Sequence, residues 1–147
     1  MANGIVRVGL VGAGGNTRLR HAPGFRDQSG VEIVSVANRS RESGERFAGE
    51  FEIPKVYDSW VDLINADDTD AICIGTWPYM HRTLTLAALE AGKHVLCEAR
   101  MAMNAKEAHD MLDASRLKPH LIAQIVPAPG TLDVDSTIQG LIADGYL

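Results

Sequence analysis

The sequence predicts a doubly wound α/β domain, a parallel β-sheet with helices on both faces. Three observations carry this. Short apolar runs alternate with segments of helical period along the chain. Those runs are apolar at nearly every position rather than at alternate ones, the pattern of strands buried on both faces. A glycine-rich turn directly follows the first of them and opens a helix.

Taken in order, Ile5-Val6-Arg7-Val8-Gly9-Leu10-Val11 reads as a buried strand, and the turn after it leads into a helix ending near Phe25. Val31-Glu32-Ile33-Val34-Ser35-Val36-Ala37 is the second strand. Ser40 can cap the next helix, in which Phe47, Ala48 and Phe51 share a face. Lys55-Val56-Tyr57 is a short third strand, and Ser59 with Asp62 three residues on opens a helix. Residues 70–75 form a fourth strand, residues 79–91 a helix stopped by Gly92, and residues 94–98 a fifth strand. Asn104 with Glu107 starts a helix whose Ala105, Ala108, Met111 and Leu112 share a face. Residues 120–126 make a sixth strand, ahead of a link through Pro127 and Pro129.

Composition narrows the function. The chain has 147 residues, one domain's worth, of which 46% are apolar and 22% charged. A net charge of −5 with no basic tract argues against nucleic acid as a partner. No apolar run is long enough to cross a bilayer, and Met1-Ala2-Asn3-Gly4 runs into a strand without a signal peptide. Cys73 and Cys97, each inside an apolar run, read as buried reduced thiols, and a cytoplasmic location is expected. No metal-spaced His/Cys cluster, Gly-x-Ser-x-Gly elbow or Walker lysine is present, so no metal site is expected.

The turn itself is Gly12-Ala13-Gly14-Gly15-Asn16. A dinucleotide's diphosphate is bulky and anionic, so the backbone must approach it closely and offer N–H groups at a helix start. Gly12 permits the tight turn and Gly14 removes a side chain that would strike the diphosphate, with Gly15 and Asn16 alongside. Thr17 occupies the place of the usual third glycine, so helix–strand packing there must differ. At the end of the second strand, where an adenosine ribose is read, stand Asn38, Arg39, Ser40 and Arg41. Two cations, a hydroxyl and a helix start suit a 2′-phosphate, which favours NADP(H). Asn38 can still bind a ribose, and NAD(H) stays possible.

Six stretches resemble, in order, the N-terminal domain of the glucose-fructose oxidoreductase, inositol dehydrogenase and rhizopine-catabolism (Gfo/Idh/MocA) oxidoreductases. They are Val8-Gly9-Leu10-Val11-Gly12-Ala13-Gly14-Gly15, Val34-Ser35-Val36-Ala37-Asn38-Arg39, Asp70-Ala71-Ile72-Cys73-Ile74-Gly75-Thr76, His81, Ala91-Gly92-Lys93-His94-Val95-Leu96-Cys97-Glu98 and Leu141-Ile142-Ala143-Asp144-Gly145. The Gly-Lys-His-Val-x-x-Glu run is the most specific part. The resemblance implies a Rossmann-fold cofactor domain over residues 1–126. Residues 127–147 would then form a link and the start of a C-terminal domain, absent here, that binds a sugar, cyclitol or polyol-like substrate and makes a homo-oligomer. It also implies that Thr76, Trp77, Pro78, His81 and Glu98 stand on the nicotinamide side of the cofactor.

Two departures bear on chemistry. Where the family commonly has Glu-Lys-Pro, this chain has Glu98-Ala99-Arg100. Ala99 has no proton to give, and Arg100 stays protonated, so it can orient an anionic or carbonyl group but is a poor base. Where the family more often has Thr-Pro-Asn, this chain has Thr76-Trp77-Pro78. His81, in a first helical turn, is assigned to packing or capping before cofactor contact. His94 reads as a satisfied strand histidine, His21 is given no chemical role, and His109 and His120 read as surface positions. The expected function is an NAD(P)-dependent oxidoreductase, the isolated chain binding cofactor without turnover. A non-catalytic dinucleotide sensor is the alternative. The strand-end loops 12–15, 38–40, 76–78 and 98–100, with Pro127, should gather on one sheet edge.

Overall fold

A computed structural model describes residues 4–127 and 135–146. Met1, Ala2, Asn3, Pro129 and Leu147 lie outside the described residues. The elements are β1 (Val6–Val11), helix α1, β2 (Val31–Ala37), α2 (Arg41–Phe51), β3 (Lys55–Tyr57), α3 (Trp60–Asn65), β4 (Ala71–Ile74), α4 (Pro78–Glu90), β5 (His94–Cys97), α5 (Ala105–Leu117), β6 (Ala123–Ile125) and α6 (Asp135–Ala143). Helix α1 begins as a π-helical turn, Thr17–His21, and continues as α-helix, Ala22–Arg26.

The six strands form one sheet in the order β3-β2-β1-β4-β5-β6, every pair parallel. This is the doubly wound order with its topological switch between β1 and β4. Apolar burial is two-sided, as the continuous runs require. On one face Val8, Leu10, Val36 and Cys73 pack with Ala22 of α1 and Phe47 and Ala48 of α2. On the other Val11, Ile72, Ile74, Val95 and Cys97 pack with Leu63 of α3, Leu84 and Ala88 of α4 and Met111 of α5. Cys73 and Cys97 therefore lie on opposite faces, both free and buried, and burial pushes each thiol up to about 12.

The cap residues read from the sequence hold their helices. Ser40 accepts from Ser43 N–H, Ser59 from Val61 N–H and Asn104 from Glu107 N–H. Gly92 takes φ +75° after α4, which ends one residue earlier than expected. The sixth strand is shorter than the 120–126 reading and pairs with β5 only through Ala123, Gln124 and Ile125. No described helix is long and apolar enough to cross a membrane.

Candidate functional site

At the carboxyl edge of the switch point, the turns after β1 and β4 cross in contact. Gly12 has φ +84°, and a Cβ there would lie 2.8 Å from Thr76 N. A Cβ on Gly75 would run into Thr17 Oγ1 and come within 2.6 Å of Gly12 O. Thr17 is buried and its hydroxyl donates to Gly12 O at 3.2 Å. This accounts for the missing third glycine of the fingerprint. The close approach it would allow is supplied from the opposite loop by Gly75, and Thr17 fills the space. Gly14 and Gly15 are different, since nothing lies within 4 Å of a Cβ built on either. Their freedom faces open space, and Gly14 is on the wall of a cleft.

Asn38, half-buried at the end of β2, accepts from Ala13 N–H through Oδ1 at 2.6 Å and so holds the glycine turn. Arg39 is exposed on the cleft wall and meets no carboxylate among the described residues. Arg41 is committed elsewhere, to Glu45 and Asp58 at 2.8 Å each. Ser40 caps α2, and Ser43, one turn on, reaches the cleft wall in its place. The sequence reading missed Ser43, Asp58, Ser59 and Trp60 as cleft residues. The last three follow β3, a strand end to which the sequence motifs assign no site residue.

The ends of β4 and β5 are tied together by His81. Its ring is fully buried, with Nδ1 2.9 Å from Arg100 O and Nε2 2.9 Å from Thr76 O. A neutral imidazole donates from one nitrogen, so the tautomer decides which bond is made at a given moment. His81 thus lies beneath the cleft rather than on its wall. Glu98 ties the same edge to α1: Asn16 Nδ2 donates to Glu98 Oε1, His21 Nε2 bonds the same oxygen, and Ala99 N–H donates to Oε2 at 3.0 Å. His21, given no role from the sequence, is therefore the partner of a carboxylate 77 positions away. The π-helical turn is the reason. Ala22 N–H bonds Thr17 O, five residues back, and in that winding residues five apart, such as Asn16 and His21, come to one side. An ordinary α-helix was expected here, so the sequence carried no signal for the pair. His94 Nδ1 accepts from Ile122 N–H at 3.0 Å, and His109 and His120 are exposed.

These loops bound a cleft of about 670 Å³ whose wall includes Gly12, Ala13, Gly14, Asn38, Arg39, Ser43, Thr76, Trp77 and Tyr79. A hollow of about 480 Å³ that shares Trp77 and Tyr79 with the cleft is lined by these two residues with Pro78, Arg100, Ala102 and Met103. Gly15, Asn16, Ser40, Glu98 and Pro127 lie outside both linings. The cleft lining brings together the glycine turn and the exposed Arg39.

A sequence profile described as an oxidoreductase family with an NAD-binding Rossmann fold, Gfo/Idh/MocA, matches residues 6–124. The chain is 40% identical over 110 residues to 1,5-anhydro-D-fructose reductase of Ensifer adhaerens, covering 75% of this chain and 33% of that protein. It is 37% identical over 113 residues to trans-1,2-dihydrobenzene-1,2-diol dehydrogenase of Bos taurus, covering 77% and 32%. The crystal structure of biliverdin reductase from Synechocystis, in complex with biliverdin and NADP+, superposes with a TM-score of 0.75 at 32% identity, covering 82% of this chain and 37% of that one. The chain thus spans about a third of the length of these relatives. With the all-parallel sheet and the glycine turn at its switch point, the match places this chain in the Gfo/Idh/MocA oxidoreductase family, as its NAD-binding Rossmann-fold domain.

Proposed function

We propose that this domain binds NADP(H) in preference to NAD(H) within an oxidoreductase that moves a hydride between the cofactor and a carbinol or carbonyl carbon of a sugar, cyclitol or polyol-like compound. The observation that carries it is the glycine turn at the switch point, where a Cβ on Gly14 would enter open space at the cleft wall.

In this reading Gly12, Gly14, Gly15 and Asn16 cradle the diphosphate. Asn38 and Ser43 face the adenosine ribose, and Arg39 with the Ser40 cap receives the 2′-phosphate. Thr76, Trp77 and Pro78 border the nicotinamide side, while His81 and Glu98 hold that border in place from behind. The cofactor supplies the hydride chemistry when bound; the chain orients it and excludes water. Ala99 supplies no proton, so the acid–base group is assigned to a substrate domain beyond residues 1–126, with 127–147 as link and entry to it. The full enzyme is proposed to be a homo-oligomer. The two buried thiols agree with a reducing, cytoplasmic setting. Three facts about relatives support the reading: one is named a reductase, one a dehydrogenase, and one structure holds NADP+.

Calorimetric titration with NADPH and NADH at low and moderate salt tests it. NADPH should bind more tightly, and Arg39→Ala should weaken NADPH by about tenfold or more, the worth of a charge-assisted bond, while leaving NADH little changed. Equal affinities indifferent to Arg39→Ala would remove the NADP preference. Binding of neither would remove the cofactor reading for this chain.

A further inference from the structure

We propose that the hollow beside the cofactor cleft is an anion-selective substrate subsite, which takes a ring bearing a carboxylate. The ring would stack on Trp77 and Tyr79, and the carboxylate would pair with the Arg100 guanidinium. The inference rests on the cofactor reading above and names the substrate class for the same edge.

The wall on one side is aromatic and presented to solvent. Trp77 is 73% exposed and Tyr79 63% exposed, although both are large apolar side chains beside a cleft. Pro78 stands between them as the first residue of α4, and Trp77 before it is extended at φ −72° and ψ 151°. A residue preceding proline is held to that region, so the aromatic pair projects from a stiff turn. Flat aromatic faces of this kind suit the C–H faces of a sugar ring or another ring plane.

Arg100 lines the same hollow and is the one charged residue of its lining among the described residues. Among the described residues its guanidinium meets no carboxylate. The nearest acidic neighbour in sequence, Glu98, has both oxygens occupied: Oε1 by Asn16 and His21, Oε2 by the Ala99 N–H. The chain as a whole carries −5, which makes an uncompensated cation at the substrate edge a selective feature rather than part of a basic surface. Its planar fork matches a carboxylate with two parallel hydrogen bonds. Since it stays protonated, it anchors and does not exchange protons.

The two walls share a buried neighbour. The fully buried His81 ring lies 2.9 Å from both Thr76 O and Arg100 O, donating to one of them in either tautomer and filling the space between the turn bearing Trp77 and the turn bearing Arg100. Trp77 and Tyr79 also line the cofactor cleft. A ring held here therefore abuts the place assigned to the nicotinamide. A neutral polyol would leave Arg100 unused; a sugar acid uses all three groups.

The test is a nuclear magnetic resonance titration of the chain with D-glucuronate and with D-glucose, the same ring without the charge, in the presence of NADP+. D-glucuronate should shift the Trp77 indole and Arg100 Nε signals and bind at least tenfold more tightly than D-glucose. Arg100→Gln should bring it down to the level of glucose, and Arg100→Lys, which keeps charge but loses the fork, should fall between. Equal binding of the two sugars, no binding of D-glucuronate, or binding indifferent to Arg100→Gln would overturn the subsite. NADP+ is titrated separately on the unsubstituted chain. If it does not bind, the cofactor reading fails, and the Arg100 dependence of D-glucuronate binding by the cofactor-free chain decides the anion subsite alone.

Discussion

Four residues at the crossing of two turns set the geometry on which the cofactor reading depends. Gly12 and Gly75 leave no room for a side chain, Thr17 fills what remains, and Thr76 lies against Gly12. Gly75→Ala should therefore destabilise the fold by about 1–3 kcal/mol, the usual range for overpacking a tight site. It should also weaken NADPH by pushing Gly12 outward. By contrast Gly15→Ala, which meets nothing within 4 Å and sits off the cleft wall, should leave stability nearly unchanged. Thermal denaturation of the two variants side by side checks the contrast, and equal losses would show that the crossing is not tight. From the sequence alone Gly12 was readable, because its tight turn is local. Gly75 was not, because the atoms that require it belong to residues 12 and 17.

At the level of elements, what was readable follows the same rule. Strands, caps and the switch point depend on residues close together in the chain: Ser40, Ser59 and Asn104 all cap their helices, Asn104 through Glu107 N–H as its spacing implies, Ser59 through Val61 N–H rather than Asp62. The π-helical turn, and with it the His21 contact to Glu98, depends on partners far apart and left no local mark. The Gly-Lys-His-Val-x-x-Glu run acquires a physical meaning only across β5. At its start Lys93 Nζ donates to Ala66 O and Thr69 O, 2.7 Å each, and at its end Glu98 holds α1. The amino edge has a matching tie between β1 and β4. Asp70 accepts from Arg7 N–H, Nε and Nη2 at 2.8 to 2.9 Å, and the guanidinium lowers its carboxyl to about 2. A carboxylate in an unfolded chain titrates near 3.9. The folded form thus gains stability that is complete above that value and is lost as pH falls toward 2, about 2 kcal/mol in all. Denaturant titrations at neutral pH and near pH 3 should show the unsubstituted chain losing about 1 kcal/mol more than Asp70→Asn does. Parallel losses would mean the pair adds nothing.

For the whole molecule, the sheet's two edges are unlike. On β3 the outer edge carries Lys55, paired with Asp68, a charge of the kind that keeps edge strands apart. The β6 edge carries Ala123 and Gln124, both exposed, next to Ile122, which is 66% exposed. Among the described residues no charged side chain lies on β6 itself, so its outer backbone groups form a template for another strand. The opposing influence is the net charge of −5, a weak long-range repulsion that salt removes once the screening length falls well below about 10 Å. The chain should therefore self-associate reversibly, and more strongly at high salt than at low, the reverse of an association driven by surface ion pairs. Sedimentation velocity over a wide concentration range at both salts measures this. Ile122→Lys places a charge beside β6 while leaving untouched the backbone bonds of Ile122 to His94 and Val95. It should restore the monomer under both conditions. A monomer at every concentration and salt would show that β6 is protected by its own shortness, three residues being too few to recruit a partner strand.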